Sequence, residues 1–305
     1  MKVIRFYEYG GPEVLRYEDA EQPVPGAGQV LVKVAGTSFN PVDGGIRGGY
    51  LQQPFPVELP HTPGADLSGT VAALGEGVTG LAVGDPVIAL LPLTVDGATA
   101  EYTLAPAELL VPAPTNIPLA DAAAIPLTAL TAWQAVHEHA KVQPGQRVLV
   151  NGAGGGVGRW AVQFAKLAGA TVVGTAGSGS AEAARSAGAD EVLDYAAGPS
   201  GEPFDVVVNA AAADEAAMAA LVAAIRPGGT LVSTSSPATE DVERKVSTMN
   251  MYLRIDATQL AEIARLVDAG QASVLISERR PIAEAGEVHR RAAAGQAHGK
   301  VVLYS

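Results

Sequence analysis

Apolar positions follow a period of two residues in the first part of the chain. Up to residue 118, short runs alternate apolar and polar side chains, as at Val30, Val32 and Val34, and Gly or Pro separates the runs. This alternation predicts strands with one buried face, so we expect a compact β-rich body. A polar stretch from Phe39 to His61 interrupts it as a predicted loop.

From residue 119 onward, helical patterns alternate with apolar runs. After a helical segment at 119–143 we expect strands at 147–151, 171–175, 191–194, 205–210 and 230–234, with helices at 157–168, 180–187 and 214–225. Two more helices, near 259–268 and 283–294, precede a final strand. Alternating units of this kind predict a parallel sheet with helices on both faces. Its ligands would bind beyond the carboxyl ends of the strands, where the strand order reverses.

The most informative stretch is a glycine-rich turn between a buried strand and an amphipathic helix. Ala153, Gly155 and Gly158 form an A-x-G-x-x-G version of the dinucleotide fingerprint. These residues allow a tight turn, close approach of a pyrophosphate, and close packing of helix on strand, respectively. Gly156 and Val157 start the helix, where unpaired N–H groups attract phosphate. Such turns also occur as plain loops, but the strand–turn–helix context favours a nucleotide site.

Composition excludes several classes of protein. The formal net charge of −12 argues against nucleic acid and acidic membranes as partners. The chain has no Cys, which excludes disulfides, thiolate catalysis and thiolate-ligated zinc. The N-terminus lacks a signal-peptide pattern, and no apolar run reaches the roughly 20 residues that cross a bilayer. We therefore expect a cytoplasmic protein whose 305 residues form two domains.

Short motifs along nearly the whole chain resemble those of a known family. They are Asn40-Pro41-Val42-Asp43 with Ile46-Arg47, the run Pro63 to Gly69, Gly84-Asp85-Pro86-Val87, Leu130-Thr131-Ala132-Trp133, the glycine turn, Gly188 to Val192, and Gly299 to Leu303. In this order and spacing the chain resembles the zinc-independent quinone oxidoreductase (zeta-crystallin-like) branch of the medium-chain dehydrogenase/reductase superfamily.

The resemblance implies an α/β protein with two domains. A GroES-like β-rich barrel domain would span residues 1–118, with 255–305 returning to it, and a Rossmann domain with a doubly wound parallel sheet would span 119–254. It also implies a nicotinamide cofactor bound between the domains, a small-molecule substrate and a homodimer.

The same resemblance bears on metal. Zinc-dependent members use a Cys and a His as catalytic ligands, but Ala65 stands here at the His position of their Gly-His-Glu motif. His137 and His139 are two residues apart, so they would not share a helix face. We therefore expect no metal, and acceptors that are already electron-poor, namely quinones or α,β-unsaturated carbonyls.

NADPH is the expected cofactor. NAD-specific sites place an acid about 20 residues after the glycines, to accept the ribose 2′-hydroxyl. The first acid after Gly158 is Glu182, and the intervening loop after Thr175 is small and neutral, with Ser178 and Ser180 as hydroxyl donors. Such a loop would tolerate a 2′-phosphate, although it contains no Arg or Lys. By resemblance, Tyr195 lies near the adenosine phosphate.

Other site residues are expected from the resemblance, each with a plain structural alternative. Asn40 would lie beside the nicotinamide and substrate, or merely cap a turn. Tyr50 would donate a hydrogen bond or a proton to the substrate, or be a half-buried loop residue. Thr131 (with the substrate) and Thr128 (with the cofactor) are also expected at the site, or are ordinary helix threonines. Asn209, Ala210 and Ser233 end two strands, so their backbone is expected to face the cofactor. Thr175, at the end of another strand, is likewise expected at the cofactor.

Several charged residues are expected to be structural. Asp43 and Arg47 would form an ion pair that organises the loop, Asp66 would fix a turn, and Lys300 would be a surface or structural residue. Gly44 and Gly45 stand where relatives carry bulky side chains, so we expect them to widen the substrate pocket.

Two further functions remain open from the sequence. An enoyl-thioester reductase uses the same chemistry on a carrier-bound substrate. A catalytically idle NADPH-binding protein, crystallin-like or regulatory, would keep the cofactor site without turnover.

Overall fold

The computed structural model describes residues 1–297 and 299–305. Contacts divide them into two compact units. Unit 1 contains residues 1–127, 255–270 and 276–305, and unit 2 contains 128–254 and 271–275. Each unit therefore has its own core and can be described by itself.

Fifteen strands are formed by the described residues. They are β1 (Lys2–Arg5), β2 (Arg16–Asp19), β3 (Gln29–Ser38), β4 (Asp66–Leu74), β5 (Pro86–Leu90), β6 (Tyr102–Pro106), β7 (Val111–Pro112), β8 (Arg147–Asn151), β9 (Thr171–Ala176), β10 (Glu191–Asp194), β11 (Phe204–Asn209), β12 (Ile225–Ser233), β13 (Ser247–Asn250), β14 (Glu278–Pro281) and β15 (Val301–Tyr304).

The α-helices are α1 (Pro41–Arg47), α2 (Pro126–Trp133), α3 (Gly156–Leu167), α4 (Ala181–Ser186), α5 (Glu215–Ala223), α6 (Ala257–Asp268) and α7 (Ala285–Ala293). A π-helical turn at Gln134–His139 continues α2, and short 3₁₀ turns occur at Pro12–Val14, Ala107–Leu109, Leu119–Ala124, Tyr195–Ala197 and Ile282–Glu284.

Unit 1 is built on a seven-stranded sheet in which β3 is central. The order is β14-β15-β3-β4-β5-β7, and β6 also pairs with β3. Every pairing is antiparallel except that of β14 with β15. Val30, Val32 and Val34 are buried in one core cluster with Leu67 and Val71. The period-two pattern therefore predicted this β-rich body correctly.

The stretch from Phe39 to His61 is not entirely a loop, because it contains α1. Asn40 precedes the helix and Pro41 occupies its first turn, where the missing N–H of proline costs nothing. Gly44 and Gly45 have low helix propensity, so the sequence in this segment does not indicate a helix. The loop prediction was wrong for these residues.

The segment 119–127 packs in unit 1 instead of unit 2. Its backbone lies against β3 so closely that a Cβ on Gly36 would stand 2.6 Å from the carbonyl oxygen of Ala120. The sequence placed the domain boundary at 118–119, where helical composition begins. The amino-acid composition becomes helical at residue 119, but the chain stays in the β-rich unit up to residue 127.

Unit 2 has a six-stranded parallel sheet in the order β10-β9-β8-β11-β12-β13. Numbered within the unit, this is 3-2-1-4-5-6, the order of dinucleotide-binding sheets. The order reverses between β8 and β11, so the crevice beyond their carboxyl ends is the expected ligand position. The Rossmann fold predicted from the sequence is confirmed.

Among the described residues, no helix has the length and apolar character that a membrane span requires.

Candidate functional site

The glycine turn of unit 2 is fixed by backbone contacts to the neighbouring strand. Gly152 has a φ of 80°, a left-handed conformation that favours glycine. Its N–H donates to Oγ1 of Thr175 at 3.1 Å, and the N–H of Ala153 donates to the carbonyl of Thr175 at 2.9 Å. The turn is therefore anchored to the end of β9 before α3 begins.

Gly158 allows α3 to start directly against this turn. A Cβ at this position would stand 2.1 Å from the carbonyl oxygen of Gly152 and 2.9 Å from Cα of Ala153. No side chain fits at such distances, so only glycine permits this packing. The role that the sequence pattern gives to the third small residue thus has a direct geometric basis.

The start of α3 carries N–H groups suited to an anion. Gly155 is the N-cap, and the first helical hydrogen bond runs from the N–H of Arg159 to the carbonyl of Gly155 at 3.0 Å. The N–H groups of Gly156, Val157 and Gly158 therefore precede the first N–H that has a helical acceptor. Together with the helix dipole they make this helix terminus suited to a phosphate.

Polar side chains join the carboxyl ends of four strands, and we call them the strand-end row: Thr175, Asn151, Asn209 and Ser233. Thr175 Oγ1 donates to Oδ1 of Asn151 at 2.6 Å, Asn151 Nδ2 to Oδ1 of Asn209 at 2.8 Å, and Asn209 Nδ2 to Oγ of Ser233 at 3.0 Å. All four are buried. Because these side chains hydrogen-bond to one another, the row forms a fixed base of the crevice. Ala210 directly follows Asn209 in the chain.

Asn151 is a member of this row that the sequence analysis missed. It pairs in register with Thr175 on one side and Asn209 on the other. The sequence did contain a signal for Asn151. It is a polar residue at the end of an otherwise apolar strand, immediately before the glycine turn. Thr175, Asn209 and Ser233 had been expected at the site because they end strands.

The loop after β9 is exposed and carries no basic side chain of its own. Ser178 is exposed, and Oγ of Ser180 donates to the carbonyl of Gly177 at 3.3 Å. Arg185 lies 3.6 Å from Glu182 on the same helix, α4, in an exposed pair. Tyr195 is partly exposed, and its hydroxyl donates to the carbonyl of Ala212 at 3.1 Å. Thr128 and Thr131 are buried on α2 of unit 2.

In unit 1, four buried polar side chains form what we call the Asn40 cluster: Ser38, Asn40, Asp66 and Lys300. Lys300 Nζ donates to Oδ1 of Asn40 at 2.6 Å and to Oδ2 of Asp66 at 3.0 Å. Asn40 Nδ2 donates to the same Asp66 oxygen at 2.8 Å, and Ser38 Oγ also donates to it. The amide of Asn40 is therefore held at both ends, its oxygen by an ammonium and its nitrogen by a carboxylate.

The expectations for Asp66 and Lys300 were wrong in part. Asp66 does not fix a local turn, because its second oxygen accepts from the distant backbone N–H of Leu127 at 2.7 Å. Lys300 is not a surface residue, since it is only 4% exposed. Both sit beside apolar neighbours in sequence, and nothing local indicates that the fold brings them together.

The expected ion pair between Asp43 and Arg47 is not formed. An oxygen of Asp43 instead accepts the backbone N–H of Asn40 at 2.8 Å, reaching back from the first turn of α1. Nη1 of Arg47 instead lies 3.4 Å from Nδ1 of His289. Residues four apart on a helix can pair, but burial directs these two to different partners.

Burial also changes the acidity of Asp43. Desolvation raises the pKa of this carboxyl to about 7, with a further contribution from the charge of Asp66, while the Asn40 N–H and Lys300 oppose the rise. Asp43 therefore changes protonation near neutral pH directly beneath Asn40.

Tyr50 and the glycine pair lie along one groove of unit 1. Gly44, Gly45 and Tyr50 line a cavity of about 680 Å³. Tyr50 is 86% exposed, so the half-buried alternative is wrong. The described residues contain no group of three or more His, Cys, Asp or Glu side chains arranged to hold a metal ion.

Replacing Gly158 with Ala tests the close contact at the turn. The added Cβ must displace the Gly152 carbonyl, so we expect the melting temperature to fall by roughly 5 °C or more and nicotinamide cofactors to bind at least tenfold more weakly. Gly286→Ala is the control, because a Cβ there meets no atom within 4 Å. Equal cofactor affinity in the two variants would contradict the assignment.

Replacing Lys300 with Met tests the Asn40 cluster. Removing one partner of a buried ion pair leaves the Asp66 charge without its cation, and we expect a loss of about 3 kcal/mol in the free energy of unfolding. Lys2→Met removes an ammonium from the exposed pair with Asp19 and should cost far less. Denaturant unfolding of both variants makes the comparison, and equal small losses would contradict a buried, paired Lys300.

Replacing Asp43 with Asn tests its raised pKa. Between about pH 4 and pH 7 the unfolded carboxyl is ionised while the folded one still holds its proton, so raising the pH through this window removes stability. The stability of Asp43→Asn relative to the native chain should therefore increase with pH, by up to about 1.4 kcal/mol per unit. Chemical denaturation at several pH values measures this difference, and a constant difference would refute it.

Comparison with known proteins places both units in one family. The alcohol dehydrogenase GroES-like domain matches residues 26–115, and the domain described as zinc-binding dehydrogenase matches residues 187–303. A chloroplastic quinone-oxidoreductase homolog of Spinacia oleracea is 31% identical over 99% of this chain and 98% of that protein.

Solved structures agree over the full length. A structure named as an NAD-dependent alcohol dehydrogenase is 32% identical, with a TM-score of 0.91 and complete coverage of both chains. The mycobacterial protein Rv1454c, in a structure described as complexed with NADPH, is 30% identical, with a TM-score of 0.85 and complete coverage of both chains. The chain therefore belongs to the medium-chain dehydrogenase/reductase superfamily, in its quinone oxidoreductase branch.

Proposed function

We propose that this oxidoreductase uses NADPH to reduce quinones or α,β-unsaturated carbonyls. The observation that carries the proposal is the start of α3, which lies at the point where the sheet order reverses and is held against the Gly152 carbonyl by Gly158. The relatives named as quinone oxidoreductases support the substrate class.

The residues of unit 2 fit a dinucleotide. Gly156, Val157 and Gly158 would hold the pyrophosphate through their N–H groups, because these precede the first N–H that has a helical acceptor. The buried strand-end row makes a flat, uncharged floor on which a ribose can lie. Ser178 and Ser180 would approach the adenosine ribose from the exposed loop after β9. A bound nicotinamide would supply hydride to an electron-poor acceptor.

Asn40 is the unit 1 residue that we assign to the substrate. Lys300 and Asp66 fix which end of its amide is nitrogen and which is oxygen. The remaining Nδ2 hydrogen makes only a long contact of 3.4 Å with the Ser38 carbonyl. A preorganised amide of this kind can orient an acceptor without rearranging during the reaction. Tyr50 lines the groove beside α1 and not the Asn40 cluster, so we do not assign it as the hydroxyl donor.

The acceptor class follows from the groups that this chain offers. Without Cys, and with Ala65 at the position of the family's zinc-binding His, the residues do not supply those zinc ligands. Quinones and enones need less activation than simple ketones, because conjugation already makes them electron-poor. Hydrogen bonds to the oxygen that gains charge are then worth about 3 kcal/mol each.

A screen of acceptors tests the proposal. NADPH consumption is measured with quinones, enones and enoyl thioesters, using the native chain, Asn40→Ala and the control Asn116→Ala in a distant loop. We expect turnover of quinones or enones, a loss of roughly 100-fold in kcat/KM for Asn40→Ala with NADPH binding retained, and no loss for the control. Turnover of enoyl thioesters alone would favour that alternative. NADPH binding without any turnover would favour an idle binder.

Ser178 tests the cofactor preference. It lies about 20 residues after Gly158, where an acid would accept the 2′-hydroxyl of NADH. In Ser178→Asp the carboxylate would repel a 2′-phosphate, so the ratio of kcat/KM for NADPH to that for NADH should fall at least tenfold. Ser178→Asn, of equal size and without charge, should keep the ratio within a few-fold. A native chain that uses NADH as efficiently as NADPH would defeat the preference.

A further inference from the structure

Arg47 is buried, and no residue among 1–297 and 299–305 forms an ion pair with it. It is only 5% exposed, and its Nε has no hydrogen-bond partner among these residues. Its one side-chain hydrogen-bond contact in the described part of the chain is the long one to Nδ1 of His289. Burial lowers the pKa of this guanidinium, whereas the charge of Glu13, an exposed residue, favours its charged form from a distance. A buried guanidinium without a carboxylate loses hydration, and its contacts among the described residues do not replace that hydration.

His289 cannot supply the missing negative charge. Its ring is 4% exposed and meets the ring of Phe39 edge to face, with centroids 4.8 Å apart. Burial and the nearby charge of Arg47 lower the pKa of His289 to about 3, so the ring is neutral at physiological pH. A neutral imidazole can accept one weak hydrogen bond but does not balance a cation.

Both side chains line the groove of about 680 Å³ that runs between α1 and α7. One wall is the face of α1 formed by Pro41, Gly44 and Gly45, and the opposite wall includes Ala292 and Ala293. The described residues that line the groove include no Asp or Glu. A cavity of this size, apolar apart from a few polar groups, is typical of a site for a small organic molecule.

The groove is separate from the Asn40 cluster. Phe39 and Val301 line the groove, whereas their chain neighbours Asn40 and Lys300 belong to the cluster. Successive side chains of extended backbone point to opposite sides, so the two sites lie on opposite sides of the same backbone. The cation of the groove is therefore not neutralised by Asp66.

We propose that this groove binds a small organic carboxylate with an apolar body, whose carboxylate pairs with Arg47. A planar guanidinium can hold a carboxylate through two parallel N–H···O bonds, and this pairing would restore the balance of charge. The Gly and Ala walls receive the apolar body, and Tyr50 stands at the mouth. The site is independent of the proposed reaction, because it requires neither the cofactor nor the acceptor.

Calorimetric titration of the full chain, without NADPH or acceptor, tests the site with two probes of equal shape. 3-Phenylpropionate carries the carboxylate, and 3-phenylpropanamide is its neutral counterpart. We expect the carboxylate to bind at least about tenfold more tightly than the amide, because only it forms a charge-assisted pair. Equal binding of the two probes, or binding of neither, overturns the proposal.

Three variants separate the parts of the site. Arg47→Met should weaken the carboxylate at least tenfold. Gly44→Leu keeps Arg47 but fills the groove, since a Cβ there meets no atom within 4 Å, and it should weaken both probes. Arg290→Met removes an exposed arginine of α7 that pairs with Glu287, and its binding should match the native chain. Native affinity for the carboxylate in Gly44→Leu overturns the proposal even if Arg47→Met fails to fold.

Discussion

The nucleotide-binding unit depends on one close contact, that between Gly158 and the carbonyl of Gly152. Because no Cβ intervenes, α3 begins directly at the end of β8, and its first N–H groups point at the position where the strand order reverses. The strand-end row then fixes the four neighbouring strand ends relative to that helix. The attraction of the helix start for phosphate, the position of the strand-end row and the position of the loop thus all depend on the absence of a side chain at Gly158.

Unit 1 depends on how its buried charges are compensated. Asp66 gathers Lys300, Asn40 and Ser38 on one oxygen and the Leu127 N–H on the other, so a costly buried carboxylate becomes a fixed point for the Asn40 amide. Arg47 lacks such compensation. Lys300 is neutralised by Asp66 and is therefore part of a structural ion pair. Arg47 has no such partner among the described residues, which is what we expect of a group that binds a ligand.

The fold was predictable because it rests on local patterns. Period-two alternation indicated β3, and the strand–turn–helix motif indicated β8 and α3. For the candidate site, the sequence indicated residues chiefly where polar side chains end strands, as for Asn209 and Ser233. Lys300 and Asp66 are 234 residues apart, and only tertiary structure joins them. Asp43 and Arg47 satisfied a helix-spacing rule, but desolvation and competing partners overrode it.

The central claim is that this chain directs hydride from NADPH to a conjugated acceptor. Its most direct test is isotopic: the native protein is given NADPH deuterated at the transferring position of C4, with an enone, and the product is analysed by mass spectrometry and NMR. The account predicts one deuterium at the β-carbon of the saturated ketone. A product without deuterium, or an alcohol labelled at the carbonyl carbon, would contradict it.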